Sequence, residues 1–164
     1  MSSSLQDGPV AVINRQRKIA LDTEQLQRAV VAVLAQCGEA GQEVSVVLVS
    51  DRTIRTFNRD YRGIDAPTDV ISFPMREGPG GDPSGKLLGD LVISLETVLR
   101  QATEPFGDGR PETGTAQREL ALMTIHGLLH LLGHAHEDGG RAEEQMIRRE
   151  GELFESTWQL FPTF

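Results

Sequence analysis

Thiols, lysines and large aromatic rings are scarce in this chain of 164 residues: Cys37, Tyr61 and Trp158 stand alone, and the lysines are Lys18 and Lys86. A lone cysteine excludes an intrachain disulfide and fits a reducing compartment. No apolar run approaches the roughly 20 residues that a bilayer span needs. Met1 to Asp7 shows neither the basic start nor the apolar stretch of a secretory signal. The expectation is a cytoplasmic protein with no membrane partner. No internal repeat and no linker-like tract divides the sequence, so one domain over 1–164 is expected, with 1–8 as a flexible tail. Hydrophobic residues at 38% and charged residues at 24% give ordinary globular composition rather than a disordered one.

The net charge of -8 argues against a nucleic-acid partner when read globally, because phosphate binding is driven by neutralising cations. Local distribution overrules a total, however. Nearly all the basic residues are arginines, whose planar fork suits bidentate phosphate contacts better than an ammonium does. The position of those arginines therefore matters more than their number.

Hydrophobic periodicity and turn residues predict a strand over Val10 to Leu21 with a basic interruption, and a helix beginning at Asp22 or Thr23 and closed by Gly38 and Gly41. A β-branched strand follows over Val44 to Val49, then a helix capped by Ser50 or Asp51 and ending near Gly63. Val70 to Phe73 reads as a strand stopped by Pro74, and Leu87 to Ile93 as another. Gly78 to Gly85 and Pro105 to Gly114 read as polar loops. Leu95 to Gln101 reads as a short helix, and the best helical patterns cover Thr115 to Leu132 and Ala142 to Leu160. This order predicts an α+β fold, a small mixed β-sheet with surrounding helices.

All four histidines fall in one segment, His126-Gly-Leu-Leu-His130-Leu-Leu-Gly133-His134-Ala-His136. His126 and His130 are four apart on a helix, so their side chains stack on one face and can grip one ion. Gly133 can take a left-handed conformation, end the helix and turn the chain back, which brings His136 towards the first two. The spacing HxxxHxxGxxH is that of the zinc-protease helix and its third ligand. Three imidazoles with an open position form a catalytic rather than a structural pattern. Zinc, as one ion, suits the all-nitrogen set, although nickel, copper and iron also accept imidazole. His134 competes with His136 for the third place, and the spacing favours His136. Where the proteases carry a glutamate general base beside the first histidine, this chain has Gly127, which argues against peptide hydrolysis by that route.

Arg52, Arg55, Arg59 and Arg62 recur at intervals of three, four and three, so on a helix they line one face. Such a run is ordinarily a solvated face; four arginines without a lysine in an acidic protein fit a phosphate-facing stripe equally well.

Three blocks, Tyr61-Arg62-Gly63-x-Asp65-x-Pro67-Thr68-Asp69-Val70-x-Ser72-Phe73-Pro74, Leu88-Gly89-Asp90-Leu91-Val92-Ile93-Ser94 and the histidine segment, resemble the signatures of the YbeY endoribonucleases. The resemblance implies a single metal-dependent endoribonuclease domain with a zinc-protease-like helix at its metal site. It implies a zinc ion held by His126, His130 and His136, and a functionally important arginine at Arg62. It also implies cleavage of single-stranded ribosomal RNA in small-subunit 3′-end maturation and ribosome quality control, with the ribosome or small-subunit assembly proteins as partners. RNA contact is then expected from Arg52, Arg55, Arg59 and Arg62, with Arg62 catalytic.

Where the family pattern has tyrosine and aspartate before the third ligand, this chain has His134 and Ala135. A carboxylate to steady a metal-bound histidine must then come from elsewhere, with Glu137 and Asp138 the nearest. Asp90, Glu119 and Glu137 are candidate general bases, each more readily explained as a structural acid. Rival functions are a non-catalytic RNA-binding assembly factor, a metal-dependent hydrolase of another substrate, and a metal carrier, the last disfavoured by the lack of thiolates.

Overall fold

The computed structural model describes residues 8–76, 84–103, 113–134 and 140–164. The first strand, β1 (Val10–Asn14), is shorter than the periodicity predicts, and Gln16 is the reason. Its buried amide donates to Asn14 Oδ1 at 3.0 Å and to the Ile19 carbonyl at 2.7 Å, while its oxygen accepts from Ile19 N at 2.9 Å. That side chain replaces the strand ladder and turns the chain towards α1 (Thr23–Gln36).

Asp22 caps α1 by accepting from Gln25 N at 3.0 Å, and Leu26, Ala29, Val30, Val33 and Leu34 form its buried stripe. Cys37 is its half-buried C-cap, and burial pushes the thiol above its usual range. β2 (Glu43–Val49) follows, then α2 (Asp51–Arg62), capped by Ser50, whose Oγ accepts from Thr53 N at 3.3 Å. Gly63 ends α2 in the left-handed region at φ 72°.

β3 (Val70–Pro74) and β4 (Leu87–Ser94) pair antiparallel, and β4 runs parallel to β2, as β2 does to β1. The sheet order is β1-β2-β4-β3, which leaves β3 at an edge. After β4 come α3 (Leu95–Thr103), α4 (Ala116–Leu131) and α5 (Arg141–Thr157), closed by a 3-10 turn over Trp158–Leu160. The α+β arrangement with a small mixed sheet is as the sequence predicts. The stretches 78–83 and 105–112 of the expected loops lie outside the described residues.

Strand alternation sorts the side chains into two layers. Val44, Val46, Leu48, Leu91 and Ile93 point into the main core, with the apolar stripes of α1, α4 and α5 and with Phe161. Val47, Val49, Ile71, Phe73 and Val92 point the other way and pack with Ile54 and Phe57 of α2. The arginine helix therefore covers one face of the sheet and the histidine helix the other. Among the described residues no helix is long and apolar enough to cross a membrane.

Candidate metal centre and the arginine helix

Thr115 caps α4 by accepting from Arg118 N at 3.2 Å. Most of the helix is sunk in the core, including Leu120, Ile125, Leu128 and Leu129, while His126 and His130 are half-buried. Their rings meet at 75° with centroids 4.6 Å apart, and the two Nε2 atoms face each other at 3.1 Å. Two nitrogens bound to one tetrahedral zinc at about 2.0–2.1 Å stand about 3.4 Å apart, so this pair fits a shared cation with an adjustment of a few tenths of an ångström. The helix ends as the glycine predicts. Gly133, at φ 96°, donates to the His130 carbonyl and His134 N donates to the Leu129 carbonyl, each at 3.0 Å, the crossed pair of bonds that closes a helix through a left-handed residue.

His134 is half-buried just past that turn. His136 lies outside the described residues, as do Glu137 and Asp138. Among the described residues no three His, Cys, Asp or Glu side chains converge as a metal-binding group; His126 and His130 supply two.

Gly127 owes its identity to the sheet. A Cβ there would come 2.8 Å from Leu91 Cδ2, 3.2 Å from Val70 Cγ2 and 3.3 Å from Ser72 Oγ, and that hydroxyl donates to the Gly127 carbonyl at 3.2 Å. The position occupied by a glutamate base in the proteases is here pressed against β3 and β4.

One residue that the sequence reading did not single out stands beside the pair. Glu150 Oε2 lies 3.2 Å from His126 Nδ1. Its signal was an acid four residues after Met146 and three before Leu153, on the buried stripe of α5. Of the candidate bases, Asp90 is half-buried within β4. Glu119 is fully buried and accepts from Thr113 Oγ1 at 2.7 Å, roughly 10 Å along the helix from His126 at 1.5 Å per residue. Both fit structural roles better than catalytic ones.

Arg52, Arg55, Arg59 and Arg62 are all exposed on α2, whose buried side carries Ile54 and Asn58. The stripe is continuous but not uniformly available. Arg55 holds Asp65 with two hydrogen bonds, at 2.8 and 3.2 Å, and Arg59 meets Asp60 at 3.2 Å. Arg52 and Arg62 have no ion pair among the described residues. The Arg55 guanidinium holds the Asp65 carboxyl below its usual range.

Tyr61 is 68% exposed, with its ring edge-on to Phe73 at 5.0 Å and stacked on Phe57 at 6.2 Å. Asn58 Nδ2 donates to the Ala66 carbonyl at 2.8 Å, tying the turn after α2 back onto the helix. From that turn the chain enters β3, where Val70 abuts Gly127. The arginine and histidine helices thus meet opposite faces of one edge strand.

The family model described as Endoribonuclease YbeY matches residues 11–157. An Endoribonuclease YbeY of Pelotomaculum thermopropionicum is 45% identical over 150 residues, covering 88% of this chain and 93% of the relative. That of Geobacter sulfurreducens is 40% identical over 147 residues, with the same coverage of each chain. The solution structure of TM1509 from Thermotoga maritima is similar with a TM-score of 0.60 and 25% identity, over 92% of this chain and 89% of that one.

Proposed function

The chain belongs to the Endoribonuclease YbeY family, and from that premise we propose that it is a zinc-dependent endoribonuclease of single-stranded ribosomal RNA. Its work is maturation of the small-subunit rRNA 3′ end and ribosome quality control, in the cytoplasm, beside the ribosome or small-subunit assembly proteins. The observation that carries the reading is the pair of Nε2 atoms of His126 and His130, facing at 3.1 Å on a half-buried helix face. The glycine turn at Gly133 supports His136 as the third ligand. His126, His130 and His136 hold one zinc ion in the manner of the zinc-protease helix. When bound, such an ion with an open position activates water near neutral pH and polarises a phosphoryl oxygen.

The chain's own groups supply the rest. Arg62, exposed at the last turn of α2, clamps the scissile phosphate and offsets charge that builds on its oxygens. Arg52, Arg55 and Arg59 follow the backbone of the strand. Tyr61, wedged by two phenylalanines, offers a rigid ring face on which an unpaired base can stack, a contact a duplex cannot make. An RNA strand crossing the β3 edge reaches both helices.

The test is single-turnover cleavage of a single-stranded RNA and of its duplex by zinc-loaded and chelator-stripped protein. Metal analysis of His126→Ala, His130→Ala, His136→Ala and His134→Ala accompanies it. The expected result is cleavage of the single strand only, loss on stripping, and loss of metal in every histidine variant except His134→Ala. Full metal content in His136→Ala would sink the ligand assignment. A zinc-loaded wild type that binds but cuts no RNA would leave the assembly-factor reading instead.

A further inference from the structure

Glu150 sits where a carboxylate is costly. On α5 it lies between Met146 and Leu153, both fully buried, and its own side chain is only 13% exposed. An ionised group on such a stripe needs a partner that satisfies it. Its partner is His126 Nδ1, at 3.2 Å. A carboxylate accepts hydrogen bonds and does not donate them, so this contact places the ring proton on Nδ1. A neutral imidazole carries only one N–H, which makes Nε2 the bare nitrogen. That is the atom turned towards His130 Nε2.

The carboxylate is also delivered by a fixed element. Arg149 donates to the Gln36 carbonyl at 2.7 Å and Ser156 Oγ donates to Gln36 Oε1 at 2.6 Å, so α5 is fastened to the end of α1 on either side of Glu150. Its backbone cannot drift without breaking those bonds and unpacking Met146 and Leu153.

We propose that Glu150 is a positioning residue, which holds His126 in the tautomer and orientation that present Nε2 to a metal ion. The proposal rests on the metal reading given above. A carboxylate behind a metal-bound histidine fixes its ring and raises its basicity, and removing one typically weakens metal binding by about 10–100-fold. A purely structural ion pair, by contrast, leaves metal affinity to the histidines alone.

The experiment is zinc and cobalt titration of metal-free protein against a competing chelator, for wild type, Glu150→Ala, Glu150→Gln and His126→Ala. Circular dichroism checks the fold, and long-range proton–nitrogen NMR of the imidazoles reads the tautomer. Glu150→Ala is expected to weaken both metals by about 10–100-fold. Glu150→Gln keeps an acceptor oxygen and is expected to lose clearly less, and wild-type His126 is expected to be protonated on Nδ1. Glu150→Ala binding as tightly as wild type, while His126→Ala loses the metal, overturns the role of Glu150 and leaves the metal site standing. A wild type that binds neither metal overturns the metal reading and this proposal with it. Should Glu150→Ala fail to fold, the glutamine variant and the wild-type tautomer decide, and a proton found on His126 Nε2 refutes the assignment.

Discussion

Gly127 of the histidine helix and Leu91 of β4 approach so closely that a Cβ at position 127 would fall 2.8 Å from Leu91 Cδ2. Leu91 is fully buried, so it has little room to yield. Gly127→Ala is expected to incur about 1–3 kcal/mol of overpacking, offset by roughly 1 kcal/mol of helix propensity. The urea midpoint of metal-free protein should therefore stay level or fall, by the equivalent of up to about 2 kcal/mol. Gly127→Glu adds a charge to the same gap and should destabilise far more, without conferring peptidase activity. A glutamate variant as stable as wild type would mean that the helix does not press on the sheet there.

Arg62 separates catalysis from binding. Arg62→Ala is expected to lower single-turnover cleavage by on the order of a hundredfold or more, with a much smaller change in RNA affinity and none in zinc content. Arg62→Lys should recover little, since a point charge does not reproduce a bidentate fork. Stability should hold within about 0.5 kcal/mol, as expected for an exposed residue without an ion pair among the described residues. Cleavage by Arg62→Ala at the wild-type rate would show that the residue takes no part in the reaction.

The arginine stripe should not respond evenly. Arg55 is already held by Asp65, whereas Arg52 is not paired among the described residues. Each phosphate contact on a single strand contributes about 0.7 to the slope of log affinity against log salt. Arg52→Ala should flatten the slope by about that amount. Asp65→Asn, which releases Arg55, should steepen it and tighten binding at low salt. If the slope is unchanged in both variants, RNA lies on another surface.

Asp51 ties α2 to α3. Its carboxylate accepts from Ser94 Oγ, Thr97 Oγ1 and Arg100 Nη1, each at 2.6 Å. Burial alone would raise its pKa, but these hydrogen bonds and the guanidinium together bring it below the usual range. Because the folded value is depressed, the stabilisation is complete above the unfolded pKa of about 4 and is lost as pH falls through the folded value. Asp51→Asn should therefore cost about 1–3 kcal/mol near pH 7, with the gap to wild type closing below about pH 4. A gap that does not narrow at all as the pH falls below about 4, read by urea denaturation, would point to lost geometry rather than lost charge.

Much of this was legible because helix ends write themselves locally. Asp22, Ser50 and Thr115 mark starts, and Gly63 and Gly133 mark ends, each through bonds to neighbours a few residues away. The facing histidines follow from the same short-range geometry. What could not be read depends on distant partners. The early end of β1 comes from a side chain, Gln16, standing in for a ladder. The sheet order places β4 beside β2 although β3 intervenes in sequence, and no local pattern specifies that. The pairing of Arg55 with Asp65 needs the turn after α2 to fold back, and Glu150 meets a histidine 24 positions earlier. Gly127 read as a missing base; only the sheet beneath it reveals a packing constraint.

Phe161 is fully buried in the main core, and its carbonyl accepts from Gln25 of α1 and Gln117 of α4. The first of those bonds spans 136 positions. At cellular synthesis rates of 5–20 residues per second, the gap between making Gln25 and making Phe161 is on the order of ten seconds. Through that interval the apolar stripe of α1 lacks the residue that seals it. The nascent chain must keep that surface from foreign contacts for that long, so the core around α1 closes only once Phe161 has been made.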